Sequence, residues 1–136
     1  MFKKTTVIRM QHTDAAGILF FARQFDIIHS VYEDFMSGQS LGFPYFLNKA
    51  HYFVPIVHAE ADYNRPLHVG DKISVTLKVS HIGKTSFTFS YVLKNVRGQT
   101  VGKAETTHVA VHRKSHKKIP LPSRLRKVLG KAVRKQ

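Results

Sequence analysis

One apolar stripe of helical period, followed by strands of period two, constrains this chain more than any other feature. Phe21, Phe25, Ile28, Tyr32 and Phe35 fall at i, i+4, i+7, i+11 and i+14, which predicts a helix over about 21–37 closed by Ser37-Gly38. Ile27, Val31 and Met36 widen the stripe, so the helix is expected to be covered on most sides. Downstream, Ile73, Val75, Leu77 and Val79 alternate with Lys72, Ser74, Thr76 and Lys78, the pattern of a half-buried strand. Phe87, Phe89 and Tyr91 alternate with Thr88 and Ser90. Thr100 to Arg113 alternates again, with Val109 and Val111 on one face and His108, Ala110 and His112 on the other. His51 to Tyr63 is a long run rich in aromatic and β-branched residues. Turn-forming segments at 64–71, Gly83-Lys84 and Arg97-Gly98 separate these strands. Thr5 to Gln11 reads as a short strand, 12–20 as a loop, and Pro44 to Leu47 as a short helix.

A strand, a long helix and then four antiparallel strands argue an α+β architecture, one antiparallel β-sheet wrapped around one long central helix. The 136 residues suit one domain, which buries roughly two-thirds of its unfolded surface. A hydrophobic fraction of 43% excludes wholesale disorder. The absence of cysteine excludes disulfides, thiolate zinc sites and cysteine nucleophiles. Arg9 and His12-Thr13-Asp14 interrupt any signal-like apolar region, and the uncharged stretch Ala15 to Ala22 falls far short of a membrane span. The expected compartment is the cytoplasm.

Charge divides the chain. Residues 1–112 carry 12 basic and 8 acidic side chains, a balance of +4, whereas 113–136 carry 10 basic and no acidic ones. The expected organisation is a body over 1–122 and a basic C-terminal helix or tail over 123–136, with Leu125, Val128, Leu129 and Val133 on one side of the helix. Such a tail attracts nucleic acid, anionic lipid or a phosphorylated cofactor, or simply keeps the chain solvated.

Asp14 is the carboxylate of most interest. It sits in a loop of small residues before an apolar helix, where a carboxylate can act as nucleophile or general base. Free N–H groups at the helix start can stabilise an oxyanion. A turn or capping aspartate is the alternative. His58, inside Val54-Pro55-Ile56-Val57-His58-Ala59, is either a pocket polar group or a hydrogen-bonded core histidine, the latter being favoured. His108 and His112 stand about 13 Å apart along a strand, too far for one metal, and read as surface. No metal site, Walker or dinucleotide loop, or Gly-x-Ser-x-Gly is present. Lys84, Arg113, Lys114, Lys117 and Lys118 can grip a phosphorylated group, or are solvated surface.

His12-Thr13-Asp14-Ala15-Ala16-Gly17-Ile18-Leu19-Phe20-Phe21 resembles the signature loop of hotdog-fold thioesterases of the 4-hydroxybenzoyl-CoA thioesterase family. Ile28-His29-Ser30-Val31-Tyr32-Glu33, Pro55 to Ala59, Arg65-Pro66-Leu67 with Gly70-Asp71, and Pro120-Leu121-Pro122 are similar to the branch that hydrolyses 1,4-dihydroxy-2-naphthoyl-CoA. The resemblance covers about residues 5–125. It implies a hotdog fold, dimerised into a continuous sheet and often paired again into tetramers. It also implies acyl-CoA thioester hydrolysis at a subunit interface, with no cofactor.

By this resemblance Asp14 is the catalytic aspartate, within the turn that Gly17 completes, and the N–H of Phe21 polarises the thioester carbonyl. Lys84 and the Lys117-Lys118 region fall near positions that hold the nucleotide end of CoA, and His58 joins them as a substrate-binding candidate. A related branch acting on short aliphatic acyl-CoAs has a histidine and a tyrosine where this chain has Phe21 and Met10. That leaves Asp14 as the one obvious catalytic side chain. Phe20, Phe25, Tyr32 and Phe53 either line a pocket for an aromatic or medium to long acyl group or are plain core. The function expected is thus acyl-CoA hydrolysis by a homodimer or homotetramer. The alternatives are hydrolysis of acyl groups on an acyl-carrier protein, or a non-catalytic basic module binding nucleic acid or anionic membrane.

Overall fold

In the computed structural model, which describes residues 1–133, the chain begins with β1 (Phe2–Val7) and a single 3-10 turn, Met10–His12. There follow α1 (Arg23–Gly38), α2 (Phe43–Asn48), β2 (Tyr52–Phe53) and β3 (Ile56–Tyr63). The remaining elements are β4 (Lys72–Ile82), β5 (Ser86–Asn95), β6 (Thr100–Val109), β7 (Val111–His112) and α3 (Ser123–Lys131). Five strands form one sheet in the order β1-β4-β5-β6-β3, with every neighbouring pair antiparallel. β2 and β7 make a separate two-stranded ribbon.

The period-two pattern decides what the sheet presents to the helix. Ile73, Val75, Leu77 and Val79 of β4 and Phe87, Phe89, Tyr91 and Leu93 of β5 are buried, as their alternation requires. α1 lays Gln24, Ile27, Ile28, Val31, Phe35 and Met36 against them, with the Phe35 and Phe89 rings 5.8 Å apart in an edge contact. Fully burying a side chain of this size contributes about 1.5–3 kcal/mol. The result is the α+β hotdog architecture that the resemblance implies.

Several expectations are corrected. β1 begins at Phe2 and ends at Val7, because the chain turns at Met10–His12 instead of continuing as a strand to Gln11. α1 starts two residues late: Phe21 is exposed and lies off the buried stripe, which runs 24, 27, 28, 31, 35. The helix is not covered on most sides, since Asp26, His29, Ser30, Glu33 and Ser37 are exposed. The 51–63 run is two strands, interrupted at Val54-Pro55, where proline has no N–H to give a ladder. β3 is an edge strand with seven of its eight residues exposed, so His58 is not a core histidine. His108 is the buried one, 1% exposed, and not surface.

The basic C-terminal segment is not a solvated tail over its described part. Leu125, Val128, Leu129 and Ala132 belong to the one core, and the Val79 N–H donates to the Ala132 carbonyl at 2.9 Å. α3 ends at Lys131, before Val133, which is 40% exposed. The rest of the segment expected as helix or tail, residues 134–136, lies outside the described residues.

Candidate active site

The loop carrying Asp14 closes on itself. The Gly17 N–H donates to the Asp14 carbonyl at 2.9 Å, and the Asp14 N–H to the Ile18 carbonyl at 3.1 Å. Gly17 adopts φ +79°, a conformation glycine reaches without a steric cost. Asp14 Oδ1 accepts the Ala16 N–H at 2.9 Å, the bond that makes aspartate a turn former. Its Oδ2 has no hydrogen-bond partner among the described residues, and the side chain is exposed. Leu19 N–H donates to the Leu67 carbonyl at 2.8 Å, docking the loop on the β3–β4 connection.

From this turn the chain runs directly into α1. The Phe20 N–H is taken by the His12 carbonyl at 2.9 Å, but among the described residues nothing accepts from the N–H of Phe21. Ala22 at the N-cap offers no side-chain acceptor either. The Phe21 N–H therefore stands open at the positive end of a sixteen-residue helix. Its carbonyl is held by the Tyr63 hydroxyl at 2.7 Å. One turn on, buried Gln24 donates through Nε2 to the carbonyls of Asp62 and Lys103, both at 3.2 Å. These contacts lock the mouth of α1 to β3 and β6.

Asp14, Gly17 and Phe21 are thus brought together, and the expected CoA-binding lysines are not brought to them. Lys84 lies in the β4–β5 connection, eleven strand residues from the end of β4 that faces the Asp14 loop. That length corresponds to about 35 Å. Lys84 gathers there with the segment after β7: the Leu121 N–H donates to its carbonyl at 2.9 Å, and the His112 N–H to that of Lys117 at 2.8 Å. Lys84, Lys117 and Lys118 are all exposed. His58 projects from β3, 60% exposed, with Nε2 2.9 Å from Glu60 Oε1.

A cavity of about 330 Å³ opens between α1, α2 and the β2–β3 connection. Met36, Leu41, Phe46 and Val54 are among its walls, and the half-exposed pair His29 and Glu33 stands at its rim. Of the aromatics expected to line a pocket, Tyr32 and Phe53 do so. Phe25 lines a smaller neighbouring cavity, and Phe20 packs on Phe21 with ring centres 4.9 Å apart.

Behind this cavity is a buried polar chain. The Val54 carbonyl can only accept, so His108 Nδ1 carries the proton and donates to it at 3.1 Å. Nε2 then accepts from the Thr106 hydroxyl at 3.0 Å, and the Thr106 oxygen accepts from the Tyr91 hydroxyl at 3.2 Å. Burial holds the His108 imidazole down to about 4. Its ring is stacked between Tyr32 and Phe87, each with ring centres 5.0 Å away.

Sequence reasoning missed Gln24, Tyr63 and His108. Two signals were available for the first: Gln24 occupies an apolar register position of α1, and Gly102 interrupts an alternating strand, a mark of close backbone approach. Nothing local distinguishes His108 from His112.

A family model described as thioesterase-like superfamily matches residues 8–129. The 1,4-dihydroxy-2-naphthoyl-CoA hydrolase of Rippkaea orientalis is 36% identical over 123 residues, covering 89% of each chain. The solved 1,4-dihydroxy-2-naphthoyl-CoA thioesterase from Synechocystis superposes with a TM-score of 0.88 at 26% identity, covering 95% of each. A Staphylococcus aureus protein solved in complex with CoA shares the fold, with a TM-score of 0.89 at 17% identity, over 99% of this chain and 87% of that one. The match runs from before the Asp14 turn, through α1 and the four sheet strands β3 to β6, into α3. On that extent of agreement, the chain belongs to the thioesterase-like superfamily.

Proposed function

We propose that this chain hydrolyses an aromatic acyl-CoA thioester, with Asp14 as nucleophile or general base and the Phe21 main-chain N–H as oxyanion donor. The observation that carries this reading is the open Phe21 N–H, on the same short unit as the free Oδ2 of Asp14. The thioester oxygen accepts from that N–H, where the helix dipole favours growing negative charge. Asp14 attacks the carbonyl carbon, or takes a proton from a water that does. The tetrahedral intermediate collapses, the C–S bond breaks and CoA leaves as the thiolate. In the nucleophilic route water then hydrolyses the mixed anhydride left on Asp14. In the general-base route the free acid forms directly and the proton on Asp14 passes to the thiolate. The names of the relatives, hydrolases of a bicyclic aromatic acyl-CoA at up to 36% identity, supply the substrate class.

The reading includes a second copy of the chain. β3 leaves one edge of its backbone unpaired and exposes Ile56, Val57 and Tyr63, an edge that favours further strand pairing. Antiparallel pairing of two such edges sets the start of one β3 beside the end of the other. Tyr63, at the end, holds Phe21. Ile56, at the start, pairs with His108 close to the Lys84 and Lys117 end. The lysines of one copy then reach the CoA phosphates of a thioester bound at Asp14 of the other.

The test is a panel of acyl-CoA thioesters assayed by thiol release with wild type and Asp14→Asn. Aryl-CoA turnover that falls by about a thousandfold or more in the variant, with the melting temperature kept, supports the reading. Failure to cleave any aryl-CoA, or a variant as active as wild type, ends it.

A further inference from the structure

The cavity beside α1 has more chemistry than an apolar hole needs. Its walls are Met36, Leu41, Phe46 and Phe53, yet three polar side chains converge on it: His29, Tyr32 and Glu33. The His29 and Glu33 side chains lie one helical turn apart, with Nδ1 and Oε1 at 3.3 Å, so the imidazole orients the carboxylate. The Tyr32 ring is clamped face-on by His108 and edge-on by Phe89, at ring separations of 5.0 and 5.7 Å. That clamp fixes where its hydroxyl points. Among the described residues the hydroxyl has no hydrogen-bond partner, although the side chain is mostly buried. A phenol left so is an incomplete arrangement, because a buried donor without an acceptor costs free energy.

We infer that this cavity takes the aromatic ring of the acyl group, and that Tyr32 and Glu33 recognise a hydroxyl on that ring. The inference rests on the proposed hydrolysis of an aromatic acyl-CoA. Size agrees: an apolar cavity of about 150 Å³ holds a benzene ring, so 330 Å³ accommodates two fused rings. The polar chemistry selects among such rings. A ring hydroxyl donates its proton to the Glu33 carboxylate and accepts the proton of the Tyr32 hydroxyl, pairing both groups at once. An unsubstituted aryl or alkyl chain fills the same space and strips water from both groups without replacing it. Sites built to bond a hydroxyl discriminate against the analogue lacking it for this reason.

Position fits as well. Val54 and Pro55, at the start of β3, line the cavity, and Phe21 is held at the end of β3. In the antiparallel pairing proposed above, the cavity of one copy therefore faces the Phe21 N–H of the other.

The experiment compares 1,4-dihydroxy-2-naphthoyl-CoA with 2-naphthoyl-CoA, using the full chain as wild type, Tyr32→Phe and Glu33→Gln. Wild type is expected to favour the hydroxylated thioester by about 10- to 100-fold in kcat/KM, the range of one or two hydrogen bonds involving a charged group. Each variant, by removing one of the two bonds, is expected to lower that ratio by about tenfold. Both substitutions keep shape and volume, and a cooperative thermal melt of each shows that it folds. Equal kcat/KM for the two thioesters in wild type overturns the inference while leaving the proposed hydrolysis standing. So does a ratio that survives in both variants. Wild type that cleaves neither thioester overturns the proposed hydrolysis, and this inference with it.

Discussion

Gln24 and Gly102 are fitted to each other across the join between α1 and the sheet. A Cβ at position 102 would stand 2.6 Å from Gln24 Oε1 and 3.2 Å from the Asp62 carbonyl. The amide of Gln24 cannot swing away without giving up its bonds to Asp62 and Lys103. This contact sets the depth at which the helix mouth, and with it the Phe21 N–H, sits on the sheet.

Gly102→Ala is accordingly expected to destabilise the fold by about 1–3 kcal/mol, the cost of overpacking a tight site. Gln24→Ala relieves the clash, so the double variant loses less than the two singles together. Urea unfolding of the four proteins measures the coupling.

His108 makes stability depend on pH. Its folded value of about 4 lies below the ordinary 6.5, because burial disfavours the charged imidazolium. Above pH 6.5 the group is neutral whether the chain is folded or not, and its contribution is complete. As pH falls from 6.5 towards 4, the unfolded chain takes up a proton that the folded chain refuses, and stability is lost. The loss over that window is expected to be roughly 3 kcal/mol. His108→Gln, less stable at pH 7, should lack that part of the slope. Chemical denaturation at pH 7 and pH 4.5 reads the difference.

The C-terminal helix is expected to behave as core on one side and as surface on the other. Leu125→Ala and Leu129→Ala, each removing a side chain with no exposed area, should each cost about 2–5 kcal/mol. Lys127→Gln, on the exposed side, should stay within about 0.5 kcal/mol. Thermal melts that show the reverse order would place the helix outside the cooperative unit.

Placing like charges on the open edge tests the assembly. Ala59→Lys with Glu60→Lys sets four lysines around the midpoint of β3, where two antiparallel copies of the strand would meet. Light scattering should then give the mass of a single chain. Thioester hydrolysis should fall with it, although Asp14 and Phe21 are untouched. A variant that stays assembled and active would remove β3 from the interface.

Much of this was readable in one dimension. The buried faces of β4 and β5 follow from alternation, the core face of α1 from its period, and the Asp14 turn from a short residue pattern closed by Gly17. Periodicity states which face of a strand is apolar. It does not state whether the strand lies inside the sheet or at its edge.

That distinction decided the two histidines. His58 sits in the more apolar run but on β3, which has a neighbour on one side alone, so it faces solvent beside Glu60. His108 sits in an ordinary alternating strand, but β6 lies between β5 and β3 beneath Tyr32, so it is sealed in. Strand order likewise put Lys84, Lys117 and Lys118 at the far end of β4 from Asp14, and core contacts took the basic segment's leucines out of solvent. Local sequence was enough for the long helix, the apolar faces of β4 and β5 and the acid at the helix mouth, because these depend on neighbours a few residues apart. The tertiary structure alone decided what is edge, what is core and which charges meet, because those depend on contacts between residues far apart in the chain.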